Sequence, residues 1–396
     1  MRKNGVKTMK TVGIICEYNP LHLGHAAQMA KIRAVWGEDA AIVCVMSGNF
    51  VQRGEPAVLS KMTRANAAIA AGVDVVLELP VTGVLSSAEG FANAGVEVLD
   101  RLGVVDLLCF GAETTSGELF CKAAELMEKP EFEEKLHENI TTGLSYGAAR
   151  QKALSSMTGL SDFGRLPNDI LALEYCRALR KRKSTITPFS IRRPGSYHDP
   201  VPDAENPSAT ALRGCMETDA WLSFVPDSAR EIFSAAPQYA LSCGERAVLA
   251  RLRGMEEGQW EKIAHGGEGL WRKAMKAVRQ EGSLRAVMEA TVSKRYPMTR
   301  ISRLLLCAYL GITAEDLKKP VSYARVLAFS QKGRGVLRRA KEQGDLPLVN
   351  AGTTPPDGEY WALERRCSDL FTLFAKDFSH AAAGAEETAR VKFAEN

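Results

Sequence analysis

Residues 11–25 read TVGIICEYNPLHLGH. The first six form an apolar run of strand length, and Asn19-Pro20 ends the pattern before His22 and His25 appear on either side of Gly24. Such a pair serves at a solvent-facing turn, in a metal site or in an anion grip. Zinc needs further ligands, and the chain holds neither HExxH nor a CxxC pair to supply them. Position after a strand favours the third use. There the second histidine falls at a helix N-terminus, where backbone N–H groups and the helix dipole attract anions. Gly24 admits a ligand close to the backbone, and three-residue spacing puts both imidazoles on one side of the first turn. From that side they can donate to phosphate oxygens and to charge growing on phosphorus. Neither a Walker A loop nor GxGxxG is present, so a nucleotide site here is of another kind.

Working outward, further apolar runs stand at 40–48, 73–80, 104–113 and 187–193, and helical stretches at 25–37, 60–72 and 88–103 separate the first four runs. Apolar strands alternating with helices predict an α/β fold with a parallel sheet covered on both faces. Ligands bind such sheets beyond the carboxyl ends of the strands. A helical stretch at about 115–155 and a helix carrying Asn168 follow, then a loop rich in Pro, Asp and Gly at 194–207 suited to a lid. SATALRGCME (208–217) reads as a helix start with Ser208 as cap. Beyond residue 219 the pattern turns mainly helical, so we expect a tail at 1–8, an α/β domain at 9–218 and a helical domain at 219–396, its last residues from 381 frayed.

Composition is that of a globular protein: 45% hydrophobic and 25% charged over 396 residues. Nine cysteines, an odd number with none closer than twelve positions, suit reduced thiols rather than a disulfide framework. No apolar run reaches the roughly 18–20 residues of a membrane helix, so a cytoplasmic protein is expected. The net charge of +4 is unevenly spread, with twelve Lys and Arg against Glu315 and Asp316 between residues 291 and 341. Such a run is either a solvated helical face or an electrostatic footprint for a polyanion.

HLGH after a first strand resembles the HIGH-type signature of the nucleotidyltransferase superfamily, Rossmann-like enzymes that transfer AMP and release pyrophosphate. SATALR (208–213) is similar to the phosphate-binding element of small adenylyltransferases. Together with VMSGNFVQRGEPAVLSK (45–61), FGAE (110–113), LPNDILALEY (166–175), SKRYPMTRISRLL (293–305) and YARVLAF (323–329), these strings resemble the bacterial tRNA(Met) cytidine acetate ligases over nearly the whole chain from Met9. That resemblance implies a Rossmann-like nucleotidyltransferase domain followed by a mainly helical, basic, tRNA-binding domain. It implies activation of acetate by ATP, with Mg²⁺, to acetyl-adenylate, and acetylation of the wobble cytidine of elongator tRNA(Met).

By the family pattern His22 and His25 are catalytic. The ATP site runs through Ile15, Cys16, Glu17, Tyr18, Asn19, Pro20 and Leu21 to His22, and on through Leu23, Gly24, His25, Ala26 and Ala27 to Gln28. It continues with Gly111 and Asn168, and with Arg192 and Arg193 at the end of the fifth strand. Ser208, Thr210 and Arg213 would contact the β and γ phosphates. Ser47, Gly48, Asn49, Gln52 and Arg53, just beyond the second strand, are assigned to the substrate cleft. For tRNA contact the expected residues are Lys294, Arg295, Arg300, Arg303, Arg325, Lys332 and Arg334, with Tyr296 interleaved for stacking. No protein ligand for a metal, no membrane contact and no obligate protein partner is expected. Two other readings compete: a cofactor-pathway adenylyltransferase, though such enzymes lack a basic helical extension, and a non-catalytic RNA-binding protein on the same fold.

Overall fold

The structure is a computed structural model and describes residues 9–113, 117–160, 163–192 and 207–395. The five apolar runs form strands: β1 (Thr11–Cys16), β2 (Ala41–Ser47), then, after a short hairpin β3 (Phe50–Val51) and β4 (Glu55–Pro56), β5 (Val75–Leu79), β6 (Leu107–Ala112) and β7 (Thr187–Arg192). Strands β5, β2, β1, β6 and β7 lie side by side in that order, each neighbouring pair parallel. Period-two alternation divides their side chains between two cores. Val12, Ile14, Ile42, Cys44 and Met46 pack under α1 (Leu23–Trp36) and α2 (Lys61–Ala70) through Met29, Ile32, Ala65 and Ala68. Ile15, Val43, Val45, Val75 and Leu77 pack on the other face under the helices Ala88–Arg101 and Pro167–Arg182, through Phe91, Val96, Leu99 and Leu173.

The expected division at residue 218 does not separate sheet from helices. Residues 219–310 are indeed helical, ending in the helix Met298–Leu310, but the chain then returns as β8 (Ala324–Ser330), β9 (Leu348–Asn350) and β10 (Lys392–Ala394). β8 lies antiparallel to β5 and carries β9 and β10, which extends the sheet on the side away from β7. The physical reason is that YARVLAF is itself an apolar strand, and its one charge, Arg325, lies in register with Glu78 of β5. The tail expected to fray supplies β10 instead. Residues 1–8, expected as a tail, and Arg193 with loop positions 194–206, expected as a strand end and a lid, lie outside the described residues.

Candidate active site

All five parallel strands end on one edge of the sheet, and the residues after β1 shape its centre. α1 begins two residues earlier than the repeat suggested, at Leu23, so that His22 is its N-cap and His25 its third residue. The backbone N–H of Gly24 donates to His22 Nδ1 at 3.1 Å, and that of His22 donates to His25 Nδ1 at 3.2 Å. This is a capping box made of two imidazoles, where Ser and Glu usually serve. The rings stack with centroids 3.8 Å apart, and Tyr18 meets His25 edge-on at 4.9 Å. Because each Nδ1 accepts a backbone proton, each neutral ring carries its own proton on Nε2. The capping geometry therefore sets the tautomer of both neutral rings.

SATALR meets this turn directly. Arg213, on the short helix Ala209–Gly214 capped by Ser208, donates to the carbonyl of Asn19 at 2.9 Å and to Thr210 Oγ1 at 3.1 Å. The two motifs, nearly two hundred residues apart, thus meet in one structure. Gly111 and Arg192 lie on neighbouring strands at the same edge, Gly111 opposite Ile191 and Arg192 opposite Ala112. Asn168 is in the first turn of Pro167–Arg182 and is not its cap, which is Leu166; its Nδ2 donates to Glu113 Oε1 at 2.7 Å. Neighbouring Asp169, fully buried, accepts from the Glu113 N–H at 2.9 Å and ties this helix to the end of β6.

On the other side of β1, Ser47 ends β2 and Gly48, Asn49, Gln52 and Arg53 lie in the loop and hairpin turn that follow it. Glu17 Oε1 accepts from the Gln52 N–H at 2.7 Å, which fixes this loop to the histidine segment. Burial raises the Glu17 carboxyl, opposed by that hydrogen bond and by the charges of Arg213, Arg64 and Arg53. Three arginines therefore act on this one carboxylate. Arg64, on α2 and wholly buried, is the main brace: it donates to the carbonyls of Leu59, Glu17, Ser47 and Gly48. Burial lowers its guanidinium to about 10, which leaves it charged at neutral pH. Gly54, at φ +83°, lets the loop press on the helix Met298–Leu310, where a Cβ would sit 2.5 Å from the Arg303 nitrogen.

A family model described as HIGH Nucleotidyl Transferase matches residues 9–386. The tRNA(Met) cytidine acetate ligase of Caldanaerobacter subterraneus subsp. tengcongensis is 36% identical over 392 residues, covering 94% of this chain and 97% of that protein. That of Acetivibrio thermocellus is 34% identical, covering 97% and 99%. The chain belongs to the tRNA(Met) cytidine acetate ligase family. A crystal structure of Thermotoga maritima TmcAL without ligand superposes with a TM-score of 0.90 at 31% identity, covering 98% of this chain and all of that one. A second, of TmcAL bound with alpha-thio ATP, superposes at 0.88. The Rossmann-like nucleotidyltransferase fold expected from the sequence is therefore the fold of this ligase-family chain.

The residues of the basic segment expected to contact tRNA do not all lie on one surface. Arg325 is only 1% exposed, stacked 4.4 Å from the Trp361 ring and facing Glu78, Glu364 and Glu386 at 3.6–3.8 Å, so it is no surface contact for tRNA. Arg303, 9% exposed, donates to the Gln52 carbonyl at 3.2 Å; it holds the loop after β2 and is equally withdrawn from a phosphate backbone. Lys332 and Arg334 belong to the helix Gln331–Gln343 at the opposite edge, where Lys332 donates to the Glu38 carbonyl ahead of β2. Lys294, Arg295 and Arg300 stand in and just before the helix whose Arg303 meets the loop after β2. Arg300 lies 4.9 Å from the Tyr296 ring, and Arg295 pairs with Glu268 at 3.1 Å while staying exposed. Neither Arg64 nor Asp169 was singled out from sequence. A charged residue inside a buried strand, Glu78 or Arg325, was a readable signal, since such a charge demands a partner.

Proposed function

We propose that this protein is a cytoplasmic ATP-dependent ligase that acetylates the wobble cytidine of elongator tRNA(Met), with AMP and pyrophosphate as co-products. The observation carrying this reading is the Arg213 hydrogen bond to Asn19, which unites SATALR with the stacked histidines in one anion-binding surface. In the first step an acetate oxygen attacks the α-phosphorus, the bond to the β-phosphate breaks and pyrophosphate leaves. His22 and His25 donate to the oxygens that gain charge, a role in which one well-placed donor contributes about 10²–10³ in rate. Arg213, Thr210, Ser208, Arg192 and Arg193 serve the leaving phosphates. Gly111 and Asn168 serve the adenosine end, and the backbone from Ile15 to Gln28 closes round the rest. In the second step the cytidine N4 attacks the acetyl carbonyl, the bond to AMP breaks and the amine loses one proton. The mixed anhydride is reactive, so orientation by Ser47, Gly48, Asn49, Gln52 and Arg53 supplies most of this step.

Mg²⁺ is taken to enter on the triphosphate, since this ion keeps much of its water and needs few protein ligands; among the described residues no three His, Cys, Asp or Glu side chains gather round one point. Lys294, Arg295 and Arg300 with Tyr296 are assigned to tRNA, and no described helix is long and apolar enough to cross a membrane. Incubation with ATP, Mg²⁺, acetate and elongator tRNA(Met), followed by nucleoside mass analysis, tests the reading. Acetylcytidine is expected from the native chain; its absence there contradicts the proposal and reopens the adenylyltransferase and binding-protein alternatives.

A further inference from the structure

Under the substrate loop, Lys61, Glu78, Arg325, Glu364 and Glu386 meet, none more than 7% exposed. Buried ion pairs of this kind roughly break even against apolar packing, so the cluster calls for a role other than stability. Its hydrogen bonds close a ring around one side chain of the substrate loop. Lys61 Nζ and Ser368 Oγ both donate to Glu386 Oε1. The Lys61 backbone N–H donates to Asn49 Oδ1 at 2.9 Å, and Asn49 Nδ2 donates to Ser368 Oγ at 3.2 Å.

Proton direction in this ring is forced. A carboxylate only accepts, so Ser368 gives it the single hydroxyl proton and then accepts from Asn49. The Asn49 NH₂ must face Ser368 and its carbonyl must face Lys61, because the flipped amide would set acceptor against acceptor and donor against donor. Burial pushes the Glu386 carboxyl up, but the charge and hydrogen bond of Lys61, with Ser368 and Arg325, hold it below the ordinary range. One Nδ2 proton of Asn49 is left for a ligand, and the residue borders a small cavity shared with Gly48, Phe50, Glu78, Glu364 and Ser368.

We propose that Ser368 and Glu386 are positioning residues: through the closed ring with Lys61 they fix the Asn49 amide at the substrate side of the cleft, so that residues close to the C-terminus complete the site. This rests on reading the 47–53 loop as substrate contact. The test uses the full chain with Asn49→Ala, Ser368→Ala, Ser368→Thr, Glu386→Gln and the double variant Asn49→Ala/Ser368→Ala. ATP affinity, thermal midpoint and kcat/KM for tRNA acetylation are measured for each. Expected values are a loss of about 100-fold for Asn49→Ala and about 10-fold for Ser368→Ala and Glu386→Gln, with ATP affinity within about twofold. Ser368→Thr keeps the hydroxyl and recovers to within about threefold, and Ser368→Ala adds less than about twofold to Asn49→Ala because it acts through that amide. Equal losses from Ser368→Ala in both backgrounds, or none while Asn49→Ala is impaired, overturn the proposal. Full activity of Asn49→Ala refutes the reading of the loop and the proposal with it.

Discussion

β8 starts and stops at opposite edges of the sheet, and the two halves of one basic run lie at its two ends. At the carboxyl edge, Lys294, Arg295 and Arg300 precede the strand, in and just ahead of the helix whose Ser302 and Arg303 meet Gly54 and Gln52. At the amino edge, Lys332 and Arg334 follow it, near the start of β2. Seven residues of strand at about 3.3 Å each set the two ends of β8 about 20 Å apart. Charge counted along the chain joined residues that the antiparallel return of β8 separates, and of the two groups only the first shares an edge with the stacked histidines.

Substitutions at each edge sharpen or break this contrast. The largest effect is expected from His25→Ala, which removes an Nε2 donor and the acceptor for the His22 N–H; acetylation falls about 10²–10³-fold by nucleoside mass analysis. Reversal at Arg295 and Arg300 together weakens tRNA binding about 10-fold and flattens its salt dependence, with ATP binding spared in a parallel titration. A pH test probes the cluster under the carboxyl edge. Burial, then the charge of Glu78, raises the Glu364 carboxyl from 4.5 to about 7 against the opposing pull of Lys61, Arg325 and Tyr323. Between those values the folded chain keeps a proton that the unfolded chain releases, so this group's contribution is complete below pH 4.5 and is lost as pH rises through 7. Thermal melts at pH 5 and pH 8 should therefore shift in favour of Glu364→Gln by about 2 °C or more at the higher pH; parallel melts at both would contradict it. The smallest effect belongs to the amino edge, where reversal at Arg334 and Arg338 changes tRNA affinity by less than about twofold. A loss there equal to that at Arg295 and Arg300 breaks the comparison.

What could be read in advance follows the range of the interactions. β1, the turn after it and α1 are set by local pattern, and their boundaries were legible to within two residues. The partnership of SATALR with EYNPLHLGH was legible only as a family likeness, since the Arg213 to Asn19 hydrogen bond spans 194 positions. The ring of Asn49, Lys61, Ser368 and Glu386 was not legible, because it joins side chains as much as 325 positions apart and neither Ser368 nor Glu386 stands in a motif. Glu78 and Arg325 were the missed clue: each is a lone charge in an apolar strand, and their pairing announces that β8 belongs in the sheet. Arg303 misled because it continues a basic run whose Lys294 and Arg295 are exposed, whereas the helix turns it onto the Gln52 carbonyl.

The central claim is that this edge joins acetate to AMP before the acetyl group moves to cytidine. Acetate labelled with ¹⁸O in both oxygens tests it most directly, by mass analysis of the AMP formed during tRNA acetylation. If an acetate oxygen attacks the α-phosphorus, one ¹⁸O stays on the AMP phosphate when the acetyl group leaves. AMP carrying one label per acetylcytidine is the predicted result; unlabelled AMP formed alongside acetylcytidine would contradict the account.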